Sequence, residues 1–368
     1  MMRTVSLSDI CTKIASGGTP LTKRDDYYGG DIPWLRTQEI NFGNIYSTEK
    51  TITELGLKNS SAKIIPKDSV IVAMYGATAG KSAINKIPLT TNQACCNLII
   101  DNSKADYRFV YYYLVNSYEK LLSAAVGAAQ QNLGSKQISA MTINLPPLDQ
   151  QKKIANILGS LDEKIELNRR MNETLEQLGQ ALFRHYFVDK TKRGNNIQTL
   201  PLGERIRPKR GKSLQSKNMI DGNIPVISGG LKPAGSHNKA NTVAPVITIS
   251  ASGANAGFVS VWGEPVWSAD SSYIDSTMTK YVYTYYLFLK NKQKEIYDMQ
   301  TGSGQPHIYP KHIGLLEIAD LSECEFNDFE QRVRPLFDMI HENKKQIDYL
   351  SNIRDLLLPK LISGGIEI

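Results

Sequence analysis

A segment beginning at Val70 returns about 175 residues later, and this internal repeat constrains the fold more than any other feature, because a duplicated sequence builds two similar units. VIVAMYGATAGKSAI (Val70 to Ile84) matches VITISASGANAGFVSV (Val246 to Val261), with Gly76 over Gly253 and Gly80 over Gly257. GDIPWL around Trp34 answers GNIPVI around Val226, and FVYYYL (Phe109 to Leu114) answers YVYTYYL (Tyr281 to Leu287). The spacing of Gly127, Gln130, Lys136 and Ile138 recurs as Gly302, Gln305, Lys311 and Ile313. Four landmarks in one order make chance a poor explanation.

Each half closes on a stretch whose apolar residues step alternately by four and three, the signature of a helix with one buried seam. In the first it runs through Ile154, Leu158, Leu161, Ile165, Asn168, Asn172, Leu175, Gly179 and Leu182, after Pro146 and Pro147, with Asp149 placed to cap it. In the second it runs through Phe329, Val333, Leu336, Ile340, Asn343, Ile347, Leu350, Arg354 and Leu357, beginning after Asn327 and Asp328 and ending before Pro359. Pro335 predicts a kink or a later start. Antiparallel pairing within the chain buries both seams. If the equivalent Asn168 and Asn343 face each other, Leu161 meets Leu350, Leu175 meets Leu336, Ile154 meets Leu357 and Leu182 meets Phe329. A buried Asn pair would then fix the register.

The remainder alternates short β-rich runs, such as SVIVAMY and APVITISA, with Gly-rich turns and one helix per half, around Tyr107 to Ala124 and Lys280 to Tyr297. The expected fold class is therefore α+β, with two pseudo-repeated mixed units at residues 1–147 and 191–325. Two long antiparallel helices separate them as a coiled-coil-like ruler, at 148–190 and at 326–368 including the C-terminal tail. The span from Ile154 to Leu182 is roughly 42 Å at 1.5 Å per residue, a little more than the roughly 34 Å between half-sites read by two-fold DNA-binding dimers.

Forty-three basic residues against thirty-six acidic give a net charge of +7, which points to a polyanionic partner. Residues 1–148 and 191–325 each hold 15 Lys/Arg and 11 Asp/Glu, so the charge sits on the two units. No run approaches a membrane span or a signal peptide, and a cytoplasmic location is expected. Cys11, Cys95, Cys96 and Cys324 lack disulfide or zinc spacing, and Cys95 and Cys96 read as small strand residues.

Catalytic motifs are not visible. GATAGKS (Gly76 to Ser82) has three residues, not four, between its first Gly and the GK pair, so it is not a phosphate-binding loop. Its counterpart GANAGFV keeps the glycines and loses Lys and Ser, so the shared feature is a tight turn. NLPPL (Asn144 to Leu148) differs from the NPPF or DPPY loop of adenine methyltransferases by the inserted Leu145. His307 and His312 are five apart in a Pro-bounded loop and read as polar loop residues.

Together these landmarks resemble the specificity subunit of type I restriction-modification enzymes. The resemblance rests on GGTPLTKRDDYYGGDIPWLRTQEI (Gly17 to Ile40), GATAGKSAI, TTNQACCNLI (Thr91 to Ile100) and, most specifically, QQNLGSKQISAMTINLPPLDQQKKIANILGSLDEKIELN (Gln130 to Asn168). LLLPKLISGGIEI (Leu356 to Ile368) is similar to the family's usual ending, whereas residues 203–240 depart from the GGTP opening. The resemblance implies two target-recognition domains, each reading one half of a bipartite double-stranded DNA site, and helices that set the spacing and dock two methyltransferase subunits. It implies that endonuclease subunits join through those. No cofactor is expected on this chain, the S-adenosylmethionine, ATP and Mg sites belonging to the partners.

DNA contacts should come from loops of both units, with cations on phosphates and polar side chains on base edges. ERIRPKRGKSLQSK (Glu204 to Lys217) carries six basic residues against one acidic, and nominates Arg207, Lys209, Arg210 and Lys212. In the first unit Lys23, Arg24, Tyr27, Tyr28, Arg36 and Lys81 are nominated, while Trp34 is expected to pack in the core. Gln130, Gln131, Lys136, Gln305 and Lys311 precede the long helices. Because Gln130, Lys136, Gln305 and Lys311 recur in both halves, they are expected to serve backbone contacts or structure rather than base readout. A DNA-binding regulator or orphan subunit acting without methyltransferase partners is the alternative, and an enzyme with a site between the repeats a more remote one.

Overall fold

Val70–Ala73 is four consecutive buried residues, VIVA, too short and too β-branched for a helix, and it forms the centre of the first unit's main sheet. The computed structural model describes residues 2–124, 132–189, 198–302, 304 and 306–368. Two compact units divide the chain, one made of Met1–Ile165 and Asp348–Ile368, the other of Glu166–Ile347. The boundary cuts both long helices, so each unit owns a stretch of each.

In the first unit five strands lie in the order β2 (Cys11–Ser16), β9 (Cys95–Ile100), β6 (Val70–Ala73), β7 (Ser82–Asn85) and β4 (Asn44–Ile45). A second sheet has β3 (Tyr28–Leu35) between β5 (Lys50–Ile52) and β8 (Thr90–Thr91), and β1 (Arg3–Ser6) pairs with β10 (Thr142–Leu145). Cys95 and Cys96 are buried in β9, as their small size suggests, and burial pushes the Cys96 thiol up to about 12. The helix Tyr107–Asn116 starts because the Asp106 carboxylate accepts from the backbone N–H groups of Arg108 and Phe109. It packs Phe109, Val110 and Leu114 against the sheet.

The second unit repeats this plan. Its four-stranded sheet runs β12 (Lys209–Arg210), β18 (Ser271–Asp275), β15 (Val246–Ser250), β16 (Val259–Trp262), beside a sheet of β14 (Gly235–His237), β13 (Ile224–Ile227) and β17 (Trp267–Ser268). β11 (Thr199–Pro201) pairs with β19 (Glu317–Ala319). The repeat extends to register. Trp34 and Leu35 pair in parallel with Thr90 and Thr91, and Val226 and Ile227 pair in parallel with Trp267 and Ser268. Each expected mid-unit helix is broken in two, at Ser117 between Tyr107–Asn116 and Tyr118–Ala124, and at Lys292 between Val282–Asn291 and Gln293–Asp298.

The first long helix is Leu148–Phe183 and the second is Glu323–Ser363. The second therefore starts earlier than expected and ends later, passing through Pro335 and Pro359. Both prolines are exposed, and buried Val333, Phe337, Leu358 and Leu361 on either side hold the helix where each ring removes a hydrogen bond.

The helices pair antiparallel within each unit, but the expected register is corrected. In the second unit Asn343 donates to Asn172 at 2.9 Å and Asn168 donates to Gln346 at 3.1 Å, so the two equivalent asparagines do not face each other. In the first unit Arg354 bonds Asp162 at 2.9 Å, and Tyr112 donates its hydroxyl to the other Asp162 oxygen at 2.7 Å. The offset is about one helical turn, roughly 6 Å. It also moves the buried seam. Ile154, Leu158, Ile165, Phe329, Val333, Ile340 and both asparagines are buried, while Leu161, Leu175, Leu182, Leu336, Ile347, Leu350 and Leu357 are only partly so. Phe183, Phe337, Leu361 and Ile362 take up the rest. The physical reason is twofold. The slipped register pairs Asn343 with Asn172, Asn168 with Gln346 and Arg354 with Asp162, and it seats the Phe337 ring where Gly179 leaves room, 3.7 Å from a Cβ built there.

Candidate nucleic-acid interface

One backbone frame occurs in both units, and it gathers several of the loops that carry the nominated side chains. In the first, Gly17 and Gly18 donate to the carbonyls of Cys95 and Thr91 at 3.3 and 2.8 Å. A Cβ on Gly17 would lie 2.2 Å from the Thr91 carbonyl, so only glycine permits this approach. In the second, Gly211 and Lys212 donate to Ser271 and Ser268 at 2.8 and 2.9 Å. GKSL (Gly211 to Leu214) thus stands where the first unit has GGTP.

The glycine turns coincide as well. Gly76 and Gly80 have φ of 79° and 81°, and Gly253 and Gly257 have 80° and 88°. Gly80 donates to Ala73 at 2.9 Å and Gly257 to Ser250 at 2.8 Å. The tight turn inferred from sequence is therefore one structure written twice. Beside it, Leu133 donates to Met74 and Tyr75 bridges Asn132, just as Ile308 donates to Ala251 and Ser252 bridges His307. Directly after these bridges come the helices Ser135–Ala140 and Pro310–Ile313, which carry the exposed Lys136 and Lys311.

The nominated residues fare differently within this frame. Lys23, Lys209, Lys212 and Lys136 are exposed. The Lys311 ammonium is 5.9 Å from the Tyr309 ring centre, and Lys81 donates to Asn41 at 2.6 Å. Arg207 donates to the Gly203 carbonyl and remains exposed. Arg210 ion-pairs with Asp270 at 2.6 Å. Arg24 pairs with Asp26, whose carboxyl is held below its usual range by that hydrogen bond.

Three nominations are corrected. Tyr27 is buried, with Arg24 over its ring and its carbonyl accepting from Thr53, so it supports the loop from beneath. Tyr28 gives its hydroxyl to the Pro20 carbonyl at 2.7 Å and sets its ring edge on Trp34, which is buried as expected. Arg36 is mostly covered and paired with both Glu39 and Glu49, a structural role that two neighbouring acids enforce. Gln130, Gln131 and Gln305 lie outside the described residues.

Sequence reasoning passed over Tyr75, Gln93, Ser252 and Asp270. Thr19 hydrogen-bonds Gln93, and Tyr75 donates to the Gln93 carbonyl at 3.4 Å. Ser252 donates to Asp270, on the side opposite Arg210. The only signal in the chain was adjacency, since Tyr75 and Ser252 each immediately precede a matched turn glycine. Among the described residues no group of three His, Cys, Asp or Glu is arranged to hold a metal, and no helix is long and apolar enough to cross a membrane.

Comparison with known proteins agrees with this architecture. The family model for the type I restriction modification DNA specificity domain matches residues 2–177. The type I restriction enzyme MjaIX specificity subunit of Methanocaldococcus jannaschii is 27% identical, the match covering 97% of this chain and 91% of that protein. A putative type I specificity subunit of Mycoplasma genitalium is 25% identical over 85% of this chain and 86% of its own. The crystal structure of a type I restriction-modification S subunit from M. genitalium superposes with a TM-score of 0.69 at 21% identity, covering 98% of this chain and 96% of that one. With the repeat, the paired helices and the matched frames, the chain is similar over nearly its whole length to type I restriction-modification specificity subunits, and residues 2–177 match that family's DNA specificity domain.

Proposed function

We propose that this chain is the DNA-recognition subunit of a type I restriction-modification complex and is not itself an enzyme. Each unit reads one half of a bipartite duplex site, and the paired helices set the spacing and dock two methyltransferase subunits. Endonuclease subunits join through those. Methyl transfer and cleavage take place on the partners, which hold S-adenosylmethionine, ATP and Mg.

The observation that carries this reading is the frame shared by the two units. Both offer a lysine at the same place, Lys136 and Lys311, for the phosphate contacts that any sequence requires. At other matched positions of the frame the side chains differ, Ser16, Tyr75, Ala94 and Asn132 in one unit against Arg210, Ser252, Asp270 and His307 in the other. Two readers of different half-sites need such a combination. The experiment is selection from a randomised duplex library by the complex of this chain with a type I methyltransferase subunit. Enrichment of two short defined blocks around a fixed gap is expected. Enrichment of one contiguous block, or binding by the chain alone with no uptake of the methyltransferase, overturns it.

A further inference from the structure

In the second unit one nominated cation, Arg210, is held by an acid that is itself fixed on its other oxygen. Arg210 ends β12, and Asp270 occupies the tight turn between β17 and β18. One Asp270 oxygen takes the Arg210 guanidinium at 2.6 Å, and the other takes the Ser252 hydroxyl. Ser252 is fixed in turn by the glycine turn and by its bridge to His307. His307 stacks on Tyr309, over which Lys311 lies. The Arg210 side chain is still 41% exposed. A planar guanidinium anchored through one nitrogen keeps further N–H donors for a ligand, and the anchor removes much of the rotamer freedom that binding would otherwise have to freeze.

The first unit has nothing of this kind at the matching place. Ser16 stands where Arg210 is, Tyr75 where Ser252 is, and Ala94 where Asp270 is, its carbonyl accepting from Met74 as that of Asp270 accepts from Ala251. The remaining arginines of the second unit's opening are committed elsewhere. Arg205 is tied to Asp320 and to the Leu321 carbonyl, and Arg207 to the Gly203 carbonyl.

We infer that Arg210 is a specificity-determining residue that reads a guanine in the half-site of the second unit, with Asp270 as its positioning residue. The inference rests on the function proposed above. The guanidinium fork matches the O6 and N7 acceptors of guanine in the major groove. A phosphate contact would need no such anchor, and would leave sequence preference untouched.

The test uses the complex of this chain with a type I methyltransferase subunit, comparing library selections for the native chain, Arg210→Ala and Asp270→Asn. Arg210→Ala is expected to lose preference for G·C at one position of one half-site, by on the order of 5- to 150-fold, leaving the other half-site and the gap unchanged. Asp270→Asn is expected to weaken preference at that same position and no other. Uniformly weaker binding with the native motif intact would make Arg210 a phosphate contact and overturn the inference. The unchanged half-site in the same selection reports that each variant is folded. If the native complex yields no split motif, the proposed function fails instead, so the two failures are distinguishable.

Discussion

Replacing Lys136 and Lys311 by alanine tests the backbone-contact role of the residues shared by the two frames. Both side chains are exposed, and among the described residues neither ammonium has a hydrogen bond or ion pair within the chain. Truncation therefore leaves no orphaned partner, and stability should change by less than about 0.5 kcal/mol. Each phosphate neutralised on B-DNA contributes about 0.9 to the slope of log K against log salt. At about 0.15 M salt one lost contact lowers affinity about five-fold, or roughly 1 kcal/mol, and both together lower it about thirty-fold. The assay is fluorescence anisotropy of the methyltransferase complex on specific and non-specific duplexes over a salt series. The double variant should flatten the slope by about 1.8 on both duplexes while the selected motif stays the same. A changed motif with undiminished affinity would refute the reasoning, as would an unchanged slope.

Glu330 is buried, and its carboxylate accepts from the Thr284 N–H at 2.9 Å, the Thr284 hydroxyl at 2.8 Å and Arg334 at 3.0 Å. Glu330→Ala should cost about 3 kcal/mol, read as a lowered urea midpoint. The register makes Asn172 and Asn343 a coupled pair, so a double-mutant cycle to leucine should give a coupling of about 1 kcal/mol. The same cycle on Asn168 and Asn343 should give a smaller one, and the reverse order would restore the facing-asparagine register. Burial, with Lys344 and Lys345 adding to it, pushes the His341 imidazole down from 6.5 to about 4. A lowered folded value means the unfolded chain binds the proton first. Stability is thus full above about pH 6.5 and falls as pH drops towards 4, by up to about 3 kcal/mol. His341→Gln should remove that part of the acid sensitivity in urea titrations at pH 7 and pH 4.5.

The duplication was legible because it rests on glycine turns and apolar runs, which local sterics and burial dictate. Gly76, Gly80, Gly253 and Gly257 carry positive φ where the alignment put them. The helices were legible from their heptad steps, but the register was not. Periodicity says which face is buried, whereas the level at which two seams meet depends on which polar groups find partners, here Asn172 with Asn343 and Asp162 with Arg354. Pro335 and Pro359 misled because a proline on the solvent face of a well-packed helix costs one hydrogen bond and not the helix. At the candidate interface, composition found the cations but could not tell Arg36, neutralised by Glu39 and Glu49, from Lys136. Tyr75 with Gln93 in the first unit, and Ser252 with Asp270 in the second, come together only through the sheets, from positions with no marked local pattern.

The central claim, two readers held at a fixed spacing, is tested most directly by mapping methylated adenines genome-wide. The chain would be co-expressed with a type I methyltransferase subunit in a host that lacks other adenine methylation. The account predicts methylation at a split motif, two short defined halves around a gap of constant length. Methylation at a contiguous motif, or none despite a stable complex, would contradict it.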